Sequence, residues 1–143
     1  MKRLIIGYGN TLRGDDGFGV DVVTLLQNKS LKNTTTISAF QLTPEMALDL
    51  LEYSHIVFVD TAFSPSHEYI LACSLENTHN VNLSHHISAF HLIDILNTLY
   101  DHCPSFEIFS MLGNDFERMN NQTAYHQALH KTVEFLSEEI PYL

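Results

Sequence analysis

The chain opens on a short apolar run, Arg3–Gly7 (RLIIG), and then enters a glycine-rich stretch that ends at Gly19. An apolar run closed by glycine predicts a buried strand followed by a loop. From Gly19 to Asn28, Val20, Val22, Val23 and Leu26 recur at three- and four-residue intervals, which predicts a helix. Thr34–Phe40 (TTTISAF) is rich in β-branched residues and predicts a second strand. Thr43 precedes Pro44, a favoured first helical residue, so Pro44–Tyr53 reads as a helix with Met46, Leu50 and Leu51 inward. His55–Asp60 (HIVFVD) is continuously apolar up to a terminal acid, the pattern of a central parallel strand. Tyr69–Leu75 reads as a fourth strand, Ser88–Tyr100 as a helix and Phe106–Met111 as a fifth strand. A C-terminal helix, Gln122–Ile140, is closed by Pro141.

Strands and helices largely alternate, which predicts an α/β fold with a mainly parallel sheet and helices on both faces. The expected architecture is a single-domain, three-layer α/β/α sandwich over residues 1–143, with about five strands. The link Ser64–Glu68 is too short for a helical crossover, so Tyr69–Leu75 is expected to run antiparallel.

Charge and composition narrow the class. The formal net charge is -10, and the seven basic residues are scattered. Nucleic acid is therefore not an expected partner, since phosphates demand clustered Lys and Arg. No stretch approaches the ~20 apolar residues of a membrane span, and the N-terminal run is too short for a signal-peptide core. A cytoplasmic location is expected. Cys73 and Cys103 lie far apart without a CxxC context and read as two reduced thiols.

Three places could carry chemistry. The loop Gly7–Gly19 sits between a strand and a helix, as a dinucleotide-binding loop would. Leu12 stands where the third glycine of GxGxxG belongs, and Asp15-Asp16 would repel a pyrophosphate. An acidic pair there suits the helix N-terminus or a cation. Asp60 ends the best strand, and ligands of open α/β sheets bind outside the carboxyl ends where strand order reverses. Ser84-His85-His86 precedes a helix and offers imidazole ligands, though an isolated loop histidine is commonly surface decoration. His126 and His130 stand one helical turn apart without a HExxH acid, since Gln127 follows His126, and read as a solvated face. Asp16, Asp60 and His85 would together make an open oxygen/nitrogen set for a divalent transition metal. There is no GxSxG elbow, no HExxH and no cysteine beside a convincing base.

The motif Gly7-x-Gly9-Asn10-x-x-Arg13-Gly14-Asp15-Asp16-Gly17-x-Gly19 resembles the N-terminal signature of nickel–iron hydrogenase maturation endopeptidases. Gln41-Leu42-Thr43-Pro44-Glu45 with Val59-Asp60-Thr61-Ala62 resembles that family's second block, and Ser84-His85-His86-Ile87-Ser88 its third. Gly113-x-x-Phe116-Glu117 resembles the last block, with Met119-Asn120-Asn121 where a glycine is expected soon after. The resemblance implies an α/β/α domain with a five-stranded sheet. It implies an endopeptidase that removes the C-terminal extension of the nickel-loaded precursor large subunit of a nickel–iron hydrogenase. Nickel would arrive with the substrate, with no permanent organic cofactor, and a monomer is expected. The implied metal-binding side chains are Asp16, Asp60 and His85, with His86 the competing neighbour. Asp16 and Asp60 are the implied catalytic carboxylates. The alternatives are a non-catalytic nickel-binding chaperone, another metallopeptidase of similar fold, and a nucleotide-binding regulator.

Overall fold

The computed structural model describes residues 2–10, 17–29, 31–63, 70–74, 88–113 and 122–138. In chain order these form β1 (Arg3–Tyr8), α1 (Phe18–Gln27), β2 (Thr34–Ala39), a 3₁₀ helix (Pro44–Leu50), β3 (His55–Phe63), β4 (Ile70–Ser74), α2 (Ala89–Leu99), β5 (Ser105–Gly113) and α3 (Gln122–Ser137). The strands make one five-stranded sheet in the order β2-β1-β3-β5-β4. β2, β1, β3 and β5 are parallel, and β4 runs antiparallel to β5. The α/β/α sandwich and its antiparallel strand are thus as the sequence predicts.

Successive strand residues point to opposite faces, so β1 and β3 feed two cores. Leu4, Ile6, Ile56 and Phe58 pack against Ala47 and Leu50 of the 3₁₀ helix and Leu92, Ile93 and Leu96 of α2. Ile5, Val57 and Val59 pack against Phe18, Val22, Val23 and Leu26 of α1 and Tyr125, Leu129, Val133 and Leu136 of α3. Burial on both faces is why RLII and HIVFV read as continuous apolar runs rather than alternating ones. Each fully buried Leu, Ile, Val or Phe contributes about 1.5–3 kcal/mol relative to exposure.

Polar contacts fasten the outer helices. Phe18 meets Tyr125 edge to face at 5.8 Å between ring centroids, and the Tyr125 hydroxyl donates to the Asp21 carboxylate. α3 carries no basic residue in its last turn. The buried Arg3 supplies that charge from the sheet, its Nη2 donating to the Leu136 carbonyl at 3.0 Å. A cation is favoured there because the last carbonyls of a helix lack partners and carry negative partial charge. Burial lowers the Arg3 pKa, and the charge of Glu107 works against that.

Two segments depart from expectation. Pro44–Leu50 is a 3₁₀ helix, not α. Its three residues per turn bring Ala47 and Leu50 onto one buried face, a following turn closed by the Tyr53 amide on the Leu50 carbonyl at 3.2 Å buries Tyr53 as well, and Leu51 is left at 37% exposure rather than inward. β3 also continues three residues past Asp60, pairing Thr61–Phe63 with Met111–Gly113 of β5. Tyr69, Leu75, Ile140 and Pro141 lie outside the described residues.

α2 begins where Ser88 accepts a hydrogen bond from the His91 amide at 3.2 Å, while the His91 ring reaches back to the Ser88 amide. Ser88→Ala is expected to cost about 1 kcal/mol by stripping this N-terminal cap. The check is the urea unfolding midpoint, with an unchanged slope showing that only stability moved.

Candidate functional site

The site grows out of the sheet's connectivity. From β1 the chain crosses to β2 on one side, while β3 lies on the other. Strand order therefore reverses between β1 and β3, and their carboxyl ends flank the crevice where open α/β sheets bind ligands. Gly9, just past β1, has φ of 147°, a backbone conformation that favours glycine, and its amide donates to the Ala39 carbonyl at 3.1 Å.

Close packing fixes the floor of this crevice. A methyl group on Gly7 would lie 2.0 Å from the Gly19 carbonyl oxygen. One on Gly19 would lie 2.3 Å from the Val59 oxygen and 2.8 Å from the Tyr8 nitrogen. α1 thus rests directly on the backbone of β1 and β3, next to Asp60.

Register then sets the chemistry. Arg3 pairs His55, which pairs Ser105, so the sixth residues of the three strands fall on one rung. Those residues are Tyr8, Asp60 and Ser110. The Tyr8 hydroxyl donates to Asp60 Oδ2 at 2.6 Å, and the Ser110 hydroxyl donates to Asp60 Oδ1 at 2.5 Å. One acceptor position on each carboxylate oxygen is used in this way. Burial pushes the Tyr8 pKa well above its ordinary value, and the Asp60 charge and hydrogen bond add to the rise. Tyr8 is therefore a hydroxyl donor at neutral pH. The row lies on the sheet face covered by α2 and the 3₁₀ helix, sharing its side with Ile6, Phe58 and Ile108.

Of the sequence-predicted site residues, Asp60 is placed at the switch point, partly buried and inside β3 rather than at its end. Asp15, Asp16, His85 and His86 lie outside the described residues, as does the segment from Asn114 to Asn121. Among the described residues no group of three or more His, Cys, Asp or Glu side chains is placed to hold a metal ion. His126 and His130 are exposed and line a shallow surface groove along α3, in keeping with a solvated face.

Tyr8 and Ser110 escaped the sequence reading. The signal was present in alignment: RLIIGY, HIVFVD and SFEIFS each place a polar group sixth. At the opposite end of the sheet, a second cluster was also missed. His55 sits between Ser105 Oγ at 2.6 Å from Nδ1 and Glu107 Oε1 at 3.0 Å from Nε2.

No protein-family model and no curated protein matches the sequence. Solved structures do match the fold. A nickel–iron hydrogenase maturation protease, HycI, from Thermococcus kodakarensis KOD1 superposes with a TM-score of 0.76 at 15% identity, covering 95% of this chain and 90% of that one. A hydrogenase 2 maturation peptidase from Thaumarchaeota archaeon SCGC_AB-539-E09 gives 0.68 at 22% identity, covering 95% and 96%. The hydrogenase maturating endopeptidase HybD from E. coli gives 0.66 at 18%, covering 95% and 92%. The chain shares the fold of these proteases over nearly its whole length. Among the described residues, no helix is long and apolar enough to cross a membrane.

Proposed function

We propose that this chain is a cytoplasmic endopeptidase that removes the C-terminal extension from the nickel-loaded large subunit of a nickel–iron hydrogenase. The observation that carries the proposal is Asp60. It stands at the switch point of a fold shared with several hydrogenase maturation proteases, beside the turn that opens the glycine-rich motif. The sequence blocks around Asp16, Asp60 and His85 add to it.

In this reading the substrate brings the nickel. Asp16, Asp60 and His85 would engage that ion and hold the scissile bond against the carboxyl edge of the sheet. Positioning of this kind lowers the barrier by removing orientational freedom before the bond breaks, and the substrate's ion polarises the carbonyl or a water. One of the two carboxylates would take the proton from the attacking water.

The test is to incubate the purified protein with nickel-loaded precursor and follow gel mobility and the mass of the released peptide. The expected result is a faster-migrating large subunit and one C-terminal peptide, with nickel-free precursor left whole. A loaded precursor that stays intact overturns the protease reading. Binding without cleavage would point instead to a nickel-handling role.

A further inference from the structure

We infer that Tyr8 and Ser110 are positioning residues that aim the Asp60 carboxylate across the switch point. The inference rests on the reading of Asp60 as part of the cleavage site and goes further by assigning what holds it in place.

The two donors come from different strands. Tyr8 belongs to β1 and Ser110 to β5, and β3 lies between them. Each hydroxyl engages a different oxygen of Asp60, at 2.6 and 2.5 Å. A carboxylate held at one oxygen can still swing about its side-chain bonds. One held at both, from opposite sides, is fixed in plane and direction. The donors are themselves fixed. Gly19 of α1 lies against the Tyr8 backbone, and Ser110 is paired in register with Asp60. An acid in the middle of a sheet row would otherwise need ordering when substrate arrives, and ordering costs free energy at that step. Groups that orient a ligand or a base in this way typically change metal affinity or activity by about 10–100-fold when removed.

A purely structural role predicts something different. The two bonds would then satisfy a partly buried acid, their loss would lower stability, and the folded fraction would cleave at the normal rate.

The experiment compares Tyr8→Phe, Ser110→Ala, Ser110→Thr and Asp60→Asn with the parent protein, using nickel-loaded precursor well below each variant's unfolding temperature. Tyr8→Phe and Ser110→Ala are each expected to lower kcat about 10–100-fold, with KM for the precursor changed far less. Ser110→Thr keeps the hydroxyl and is expected to recover most of the lost kcat. Normal kcat in both Tyr8→Phe and Ser110→Ala, alongside an inactive Asp60→Asn, overturns the positioning role and leaves the proposed site standing. Normal processing by Asp60→Asn overturns the site and the positioning role with it. Should Tyr8→Phe fold poorly, the Ser110 pair decides the question alone.

Discussion

Asp60→Asn is expected to halt processing of nickel-loaded precursor while leaving the fold in place. The change keeps the shape of the side chain and removes its charge and basicity. Its amide oxygen can still accept from one hydroxyl, and its NH₂ can donate to the other, since both Tyr8 and Ser110 oxygens also accept. The stability cost is therefore about 1–2 kcal/mol, the charge assistance lost from the two retained hydrogen bonds. Activity should fall far more. Loss of a carboxylate that acts as base costs about 10²–10⁴-fold, and loss of the charge also weakens contact with a substrate cation. Asp16→Asn, which likewise removes charge and basicity while keeping the side chain's shape, is expected to halt processing in the same way. Asp15→Asn should be milder, and comparison of His85→Ala with His86→Ala identifies the imidazole involved. The measurements are gel mobility of the precursor and thermal unfolding of each variant. Full processing by both Asp16→Asn and Asp60→Asn would refute the shared site.

The fold was legible because its two central strands, β1 and β3, are buried on both faces. RLII and HIVFV are too short for helices and are closed by glycine or an acid, which marks them as strands between segments of helical spacing, and the short link Ser64–Glu68 already implied an antiparallel strand. What stayed hidden has specific causes. Met46, Leu50 and Leu51 fit an α-helical stripe as well as Ala47 and Leu50 fit a 3₁₀ one, and composition alone does not choose between three and 3.6 residues per turn. The chosen period decides whether Leu51 is inside or out.

Asp60 was legible as chemistry but misread as a terminator. A charged residue ends a strand when nothing in the sheet meets it. Here hydroxyls from both flanking strands meet it, and β3 runs on to Phe63 beside β5. Strand neighbours are set by topology, and β5 begins 45 residues after Asp60 in sequence. Only after the order β1-β3-β5 is known does the polar sixth position of each strand become a site.

The second large effect is expected from Gly7→Ala and Gly19→Ala, which should each destabilise the protein by about 3 kcal/mol or more. Overpacking of a tight core costs about 1–3 kcal/mol when side chains can yield. Here little can yield. The methyl on Gly7 would meet the Gly19 carbonyl oxygen at 2.0 Å and its carbon at 2.6 Å, with the Val23 side chain at 2.7 Å. The methyl on Gly19 would meet the Val59 oxygen and the Tyr8 backbone. Relief requires α1 to lift away from β1 and β3, which opens the core around Phe18, Val22 and Val23. Both changes force the same displacement, so the double variant should lose less than the sum of the singles. Lifting α1 also loosens Tyr8 and Val59, the backbone on either side of Asp60, so cleavage should slow even where the variants remain folded. Urea unfolding measures the first effect and precursor processing the second. A Gly7→Ala protein within 0.5 kcal/mol of the parent would show that the helix does not rest on the strand backbone.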